Sequence, residues 1–355
     1  MIRRHVLVLT LAAAVLPSAL LWADGGAAVQ VRRSDGLQLA AAFEAGLASD
    51  TLILTRAGAR TTAFGEDSNL PRRWTAAHAS LSISPFGPGF ASSGLNGAGL
   101  AIHLVWREGT DRLEPAPLLA TLQWVQHCLD RFERVSDVVH SASASDVAGL
   151  VTAQILACDA TGVCGIVEHD GEQVVDRVAE RLPLPLLTGA SYAESLDFLN
   201  RTLGYGGAPR DPDGDAAGAR FARAAQGVNR ARSARDAQTV DDVLAVLALA
   251  APDDRLPLRV VYDQLTRRVE LSRPGWVARR TVEIDSLGGL CGPSLPPVAL
   301  LELGADGVTE SVPPAAGGLA VRGARQSPWL AATAPELWLE VDAVIGAIEC
   351  RNGEF

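Results

Sequence analysis

The sequence predicts an α+β protein in which strands and helices stack as layers. Three observations carry this. Runs that alternate apolar and polar residues occupy much of residues 29–106, with glycine- and serine-rich turns between them. A helical spacing of apolar residues then takes over at Leu118, Leu122, Val125, Leu129 and Phe132. Hairpin and helix patterns return in blocks after that, the order expected of sheets covered by helices.

The elements follow in order. Val29 and Val31, a Ser34-Asp35-Gly36 turn, and Leu37, Leu39, Ala41 and Phe43 predict a hairpin. Thr51 to Thr55, Leu81 to Ser84 and Leu100 to Trp106 read as further strands, the last two separated by Ser93-Gly94-Leu95-Asn96-Gly97-Ala98-Gly99. The long helix around Leu122 is followed by a second helix with Ser136 as its expected N-cap. Asp159 to Val163 forms a tight turn with Gly162 as the bulge residue, so Cys158 faces Cys164 and the two are expected to form a disulfide. Arg201 to Gly218 is rich in glycine, proline and aspartate and reads as loop. Phe221 to Val228 and Val240 to Leu249 are helical, the latter capped by Thr239 with Asp242 three residues on. Leu258 to Tyr262 and Arg268 to Leu271 make another hairpin. Beyond about residue 284 proline and glycine become frequent and the periodicity weakens.

Bulk composition bounds the function. The chain has 355 residues, 48% hydrophobic and 20% charged, which is globular in character, and a formal net charge of -10 argues against nucleic acid as a partner. All 31 basic side chains are arginine, so lysine Schiff-base and lysine-nucleophile chemistry are excluded. Met1-Ile2-Arg3-Arg4-His5, an apolar run from Val6 to Trp22 and small residues through Ala28 have the layout of a secretory signal. Pro17 and the shortness of the run disfavour an uncleaved anchor. Residues 1–26 are therefore expected to be removed and the mature protein to be secreted or periplasmic, without a stable membrane span. Export permits disulfides, and Cys291 and Cys350 could close the C-terminal segment, leaving Cys128 odd.

Seven blocks, in order, resemble the choloylglycine hydrolase and penicillin V acylase family of linear-amide hydrolases. They are Val31-Arg32-Arg33-Ser34-Asp35-Gly36-Leu37, Ser93 to Leu100, Leu122-Gln123-Trp124-Val125-Gln126, Cys158 to Gly162, Gly165-Ile166-Val167-Glu168, Leu187-Thr188, and Arg220 to Ala224. The resemblance implies an N-terminal-nucleophile fold, an αββα sandwich, over residues 27–284, with residues 285–355 as a C-terminal extension of unassigned role. It also implies an attacking cysteine at the first mature residue, whose own α-amino group is the base, with hydrogen-bond donors for the oxyanion.

Most of that chemistry is missing at the matching positions. The nucleophile's place falls on Ala27, the arginine and aspartate of the second strand on Ala41 and Glu44, and the oxyanion asparagine on Gly189. The backbone oxyanion donor falls near Trp106, and only Arg220 keeps the family's residue. Trp106, Arg220, Phe86 and Tyr192 are the expected ligand-facing residues, against the alternatives of ordinary packing and, for Arg220, of a surface arginine. Cys128 reads as a buried thiol and His103 as a core histidine. No metal-ligand cluster, cofactor motif or serine-hydrolase elbow is present. The implied function is an exported pseudoenzyme that binds an acylated small molecule. An active amide hydrolase with a displaced nucleophile and a non-catalytic interaction protein are the alternatives, and a homo-oligomer is compatible with each.

Overall fold

The computed structural model describes residues 26–32, 36–43, 51–65, 70–108, 115–145, 147, 150, 152–170, 173–202, 205, 216–233, 239–251, 258–287, 289–304, 307–311 and 335–351. The signal expected at residues 1–26 lies outside them except for Gly26. In chain order the first strands are β1 (Ala27–Arg32), β2 (Leu37–Phe43), β3 (Thr51–Thr55), β4 (Ala59–Thr62) and β5 (Arg73–Thr75). They are followed by β6 (Ser80–Ile83), β7 (Ser93–Asn96) and β8 (Ala101–Trp106). Two helices, α1 (Pro115–Arg131) and α2 (Val135–Ser145), precede β9 (Ala153–Cys158), β10 (Cys164–His169), β11 (Val174–Val178) and β12 (Leu186–Leu187). Then come α3 (Tyr192–Asn200), α4 (Ala217–Ser233), α5 (Val240–Ala250), β13 (Leu258–Asp263), β14 (Arg268–Ser272) and β15 (Arg280–Glu283). The chain finishes with β16 (Val298–Gly304), β17 (Gly307–Ser311), α6 (Pro335–Gly346) and β18 (Glu349–Cys350).

These elements form an αββα sandwich. One sheet has six strands in the order β12-β1-β2-β13-β14-β15, the other nine in the order β11-β10-β9-β8-β7-β6-β3-β16-β17. Helices α4 and α5 pack on β1, β2, β12 and β13 of the smaller sheet, and α1 and α2 on β6 to β11 of the larger. The inner faces meet where β1 and β2 contact β8. All seven residues of β2 are buried, because the strand has a sheet on one side and α5 on the other. The alternation expected there survives only in polarity. Gln38 is buried and donates to Asp263 Oδ2 at 3.1 Å. Gln30 on β1 likewise donates through Nε2 to Gln264 Oε1 at 2.8 Å, while its own Oε1 has no partner among the described residues. Between the sheets Ser93 and Tyr262 share a 2.7 Å hydrogen bond between their hydroxyls. A buried polar contact of this kind fixes the sheets' relative position, since sliding would leave the Tyr262 hydroxyl unpaired while Ser93 Oγ keeps its 2.9 Å bond to the Ile102 carbonyl.

Two local expectations need correction. Helix α2 begins at Val135, so Ser136 lies inside it. The Val135 N–H is held by Asp159 Oδ2 at 3.1 Å, a distant residue that no local capping pattern can reveal. The expected loop from Arg201 to Gly218 ends at Ala217, where α4 starts, and much of its interior lies outside the described residues. The C-terminal segment after Asp285 supplies two strands to the larger sheet, with β16 pairing antiparallel to β3 from Val298↔Thr55 to Glu302↔Thr51. Among the described residues no helix is long and apolar enough to cross a membrane.

One end of the sandwich is closed by tight turns. Asn96 accepts from the N–H groups of Ala98 and Leu100 and donates to the carbonyls of Leu129 and Phe132, which ties the β7–β8 turn to the end of α1. Gly99 has φ of 85°. A Cβ on it would lie 2.5 Å from the Gln264 carbonyl oxygen and 2.9 Å from Ala160 Cβ, so glycine is required there twice over. Cys158 and Cys164 face each other in register and form a disulfide across the neighbouring turn.

Candidate functional site

The opposite end of the sandwich gathers the positions singled out in the sequence. β1 starts there, β2 and β8 end there, and the segment after β12 passes beside them. Ala27 pairs with Ala42, and Ala28 with both Ala41 and Leu187. Gln154 at the start of β9 donates to the carbonyls of Thr188 and, at 2.8 Å, Ala190. Thr188 Oγ1 donates to the Ala217 carbonyl at 3.0 Å, which brings in the first turn of α4. Glu44, the expected carboxylate, lies outside the described residues.

What this end offers chemically is limited. Ala27, Ala28, Ala41 and Ala42 are fully buried methyl groups. None of them can attack a carbonyl, accept a proton or orient an amide. The one free thiol on α1, Cys128, lies toward the turn end instead and is fully buried, and burial, reinforced by the Asp130 charge, pushes it well above the usual cysteine range. The thiolate that nucleophilic attack needs is therefore strongly disfavoured.

Arg220 is not a surface arginine: only 3% of it is exposed. Its Nε donates to the Ala250 carbonyl at 3.1 Å, and its Nη2 is ion-paired with the Glu108 carboxylate. Glu108 reaches it through space that a side chain at residue 189 would fill. A Cβ on Gly189 would fall 2.4 Å from Glu108 Cγ and 2.6 Å from its Cδ. The backbone agrees, since the Glu108 N–H donates to the Gly189 carbonyl at 2.7 Å. Three positions thus act together: a glycine where a larger amide side chain was expected, a carboxylate in the space, and the arginine it neutralises. Glu108 is the residue that sequence reasoning missed. Its only signal was the unexplained glycine at 189, which lies far from it along the chain.

The expected ligand-facing aromatics divide. Trp106 is partly buried, and its indole N–H has no acceptor among the described residues. Tyr192 is fully enclosed instead. Its hydroxyl donates to the Leu184 carbonyl at 2.9 Å and accepts from the Leu184 N–H at 3.2 Å, and its ring meets Phe221 edge-on. Burial pushes its phenol up to about 12. Phe86 is enclosed too, with its ring centroid 5.8 Å from that of Trp338 on α6. Both aromatics are enclosed because they join loops and helices to the core, so neither presents a free face in this structure. His103 packs edge-on to Phe43, and burial lowers its pKa to about 3. The Ala42 carbonyl takes one hydrogen bond from it, while Nδ1 has no partner, so its core role is only half satisfied. Among the described residues no three His, Cys, Asp or Glu side chains are grouped to hold a metal ion.

No protein-family model matches the chain, and no curated protein does. Solved structures do. Penicillin V acylase from Agrobacterium tumefaciens superposes with a TM-score of 0.58 at 18% identity, over 81% of this chain and 98% of that one. An arginine-to-leucine variant of the conjugated bile acid hydrolase from Clostridium perfringens gives 0.58 at 14% identity, over 81% and 99%. A cysteine-to-alanine mutant of the same hydrolase gives 0.57 at 12%, over 81% and 97%. The chain has the fold of the penicillin V acylases and conjugated bile acid hydrolases.

Proposed function

We propose that the protein is an exported pseudoenzyme on a linear-amide hydrolase fold, and that it binds an acylated small molecule without cleaving it. The observation that carries this is the Gly189–Glu108–Arg220 arrangement. An arginine left over from a working site would face the cleft uncompensated, ready for a substrate carboxylate or carbonyl. Here its charge is already met from within the chain, and a ligand anion would have to displace Glu108. The alanine at residue 27 agrees with it, because losing a nucleophile alone typically costs on the order of 10⁶ in rate. The signal layout of residues 1–26 supports export.

Binding would then rest on apolar contact more than on charge. Trp106 is the group best suited to it: a partly buried indole whose enclosed N–H has no acceptor among the described residues and would donate to an acyl carbonyl that reached it. The test is amine release by the mature protein on penicillin V, a glycine-conjugated bile acid and an N-acyl-homoserine lactone, read with an amine-reactive dye. With no lysine in the chain, the α-amino group is the sole protein amine contributing background. The expected result is release at blank level, with a rise in melting temperature in at least one of the three. Turnover above blank would establish a displaced nucleophile. Silence in both assays would make the protein an interaction element.

A further inference from the structure

Two of the cysteines without a disulfide lie together. Cys291 is buried and Cys350 half-buried, and each is a free thiol in this structure. Both are laid against the same short stretch, residues 57–59. The Cys291 N–H donates to the Ala57 carbonyl at 2.9 Å, and Leu290 bridges to Ala57. β18 sets Cys350 opposite Ala59, and the Arg351 N–H donates to the Gly58 carbonyl at 3.0 Å. The turn at Gly292–Leu295, closed by backbone bonds of 2.9 and 3.1 Å, carries the Leu295 carbonyl over Cys350 Sγ, which donates to it at 3.8 Å. The two side chains lie close enough for each thiol to perturb the other, with the Arg351 backbone beside them. Burial first, and then this contact with Cys350, push the Cys291 thiol up to about 12.

We propose that Cys291 and Cys350 form a second disulfide, a covalent latch that fixes the C-terminal segment to the sandwich. The oxidant is a disulfide, either a small one such as oxidised glutathione or that of an exported thiol oxidoreductase. Cys350, the more exposed sulfur, attacks it as thiolate, a mixed disulfide forms and one thiolate of the oxidant leaves. Cys291 then loses its proton and attacks the Cys350 sulfur. The mixed disulfide breaks and the second thiolate departs, so two protons and two electrons leave the protein and two thiols appear on the reduced oxidant. The buried Cys291 sulfur is a poor leaving group, which makes the finished bond resistant to small reductants.

The latched segment matters to the fold. Between the two cysteines lie β16 and β17, which complete the larger sheet, and α6. α6 carries Trp338 against Phe86, and Glu340, which accepts from the Gly65 N–H at 2.7 Å. Glu310 on β17 pairs with the buried Arg56 at 2.7 Å. A bond from residue 291 to residue 350 removes loop entropy from the unfolded chain across all of these. This inference is independent of whether Ala27 leaves the protein inert, and export matters to it only as the source of oxidant.

The experiment supplies the oxidant directly. The purified mature protein is incubated with oxidised glutathione, unfolded in denaturant, and its free thiols are counted and its peptides mapped without reduction. Of the five cysteines, one free thiol should remain, Cys128. Cleavage after arginine should release residues 281–322 joined to residues 326–351. Cys350→Ser, which sits at a half-buried position and should fold, raises the count from one to two. Three free thiols in the wild type, or either cysteine joined to Cys128, would overturn the proposal.

Discussion

The two ends of the sandwich are built in opposite ways. At the turn end the residues that match the acylase pattern still perform the local task that explains them. Asn96 satisfies four backbone groups, Gly99 fits where no side chain can, and Gly162 accepts a φ of 84° beneath the disulfide. At the other end the matching positions hold methyl groups and a neutralised arginine. The turn end is retained by sterics and hydrogen bonding, which every folded copy needs. On the function proposed above, the other end answers only to chemistry, and where none is required its polar groups give way to packing. That contrast can be broken or sharpened by substitutions at either end.

The largest effect is expected at the turn end. Gly99→Val adds a strained backbone conformation to overlap with the Gln264 carbonyl and Ala160, and should cost about 3 kcal/mol or more, measured by denaturant unfolding. At the other end Gly189→Asn, which restores the amide expected from the resemblance, must push Glu108 off Arg220. A loss of about 2 kcal/mol is expected, because the buried guanidinium loses its counter-charge. The same change made in a Glu108→Ala background should cost clearly less, and equal costs in both backgrounds would show that the three residues are not coupled.

A smaller, pH-dependent effect is expected from Asp130 near the turn end. Its carboxylate is fully buried, accepting from Trp74 Nε1 and Gln126 Nε2 at 2.8 Å each. Burial pushes its pKa from 3.8 up to about 7, more than these hydrogen bonds and Arg131 pull it down. The folded state therefore holds a proton that the unfolded state releases, and the associated stability is present below pH 3.8 and lost as pH rises through about 7. Asp130→Asn cannot ionise, so the difference in unfolding free energy between variant and wild type should move in the variant's favour across that window. A pH-independent difference would contradict the assignment. Ala27→Cys is expected to leave amine release at the level of the blank, since a thiol alone lacks the orienting and oxyanion groups that act with it.

Much of the fold was legible because its signals are local. The Thr239–Asp242 capping box closes the start of α5 as its spacing indicates, and β3 spans Thr51–Thr55 as read. The turn at Gly162 sets the register that puts Cys158 opposite Cys164. What could not be read depends on partners far along the chain. The start of α2 is decided by Asp159, and β12 has two residues, too few to show any period. β16 lies in a proline-rich stretch whose pairing with β3 has no local mark. The same limit applies to the site. Alanine at residue 27 and glycine at residue 189 were legible as residue types, whereas the contact of Glu108 with Arg220 required the space beside Gly189 to be seen.

The central claim is that the chemical end of this sandwich no longer performs amide hydrolysis. Amine release from penicillin V, the conjugated bile acid and the acyl-homoserine lactone, measured side by side for the mature wild type and Ala27→Cys, tests it most directly. Both proteins should stay at the level of the blank. Release by the wild type would show that a nucleophile persists, and release by Ala27→Cys alone would show that the rest of the site is still intact; either result would contradict the account.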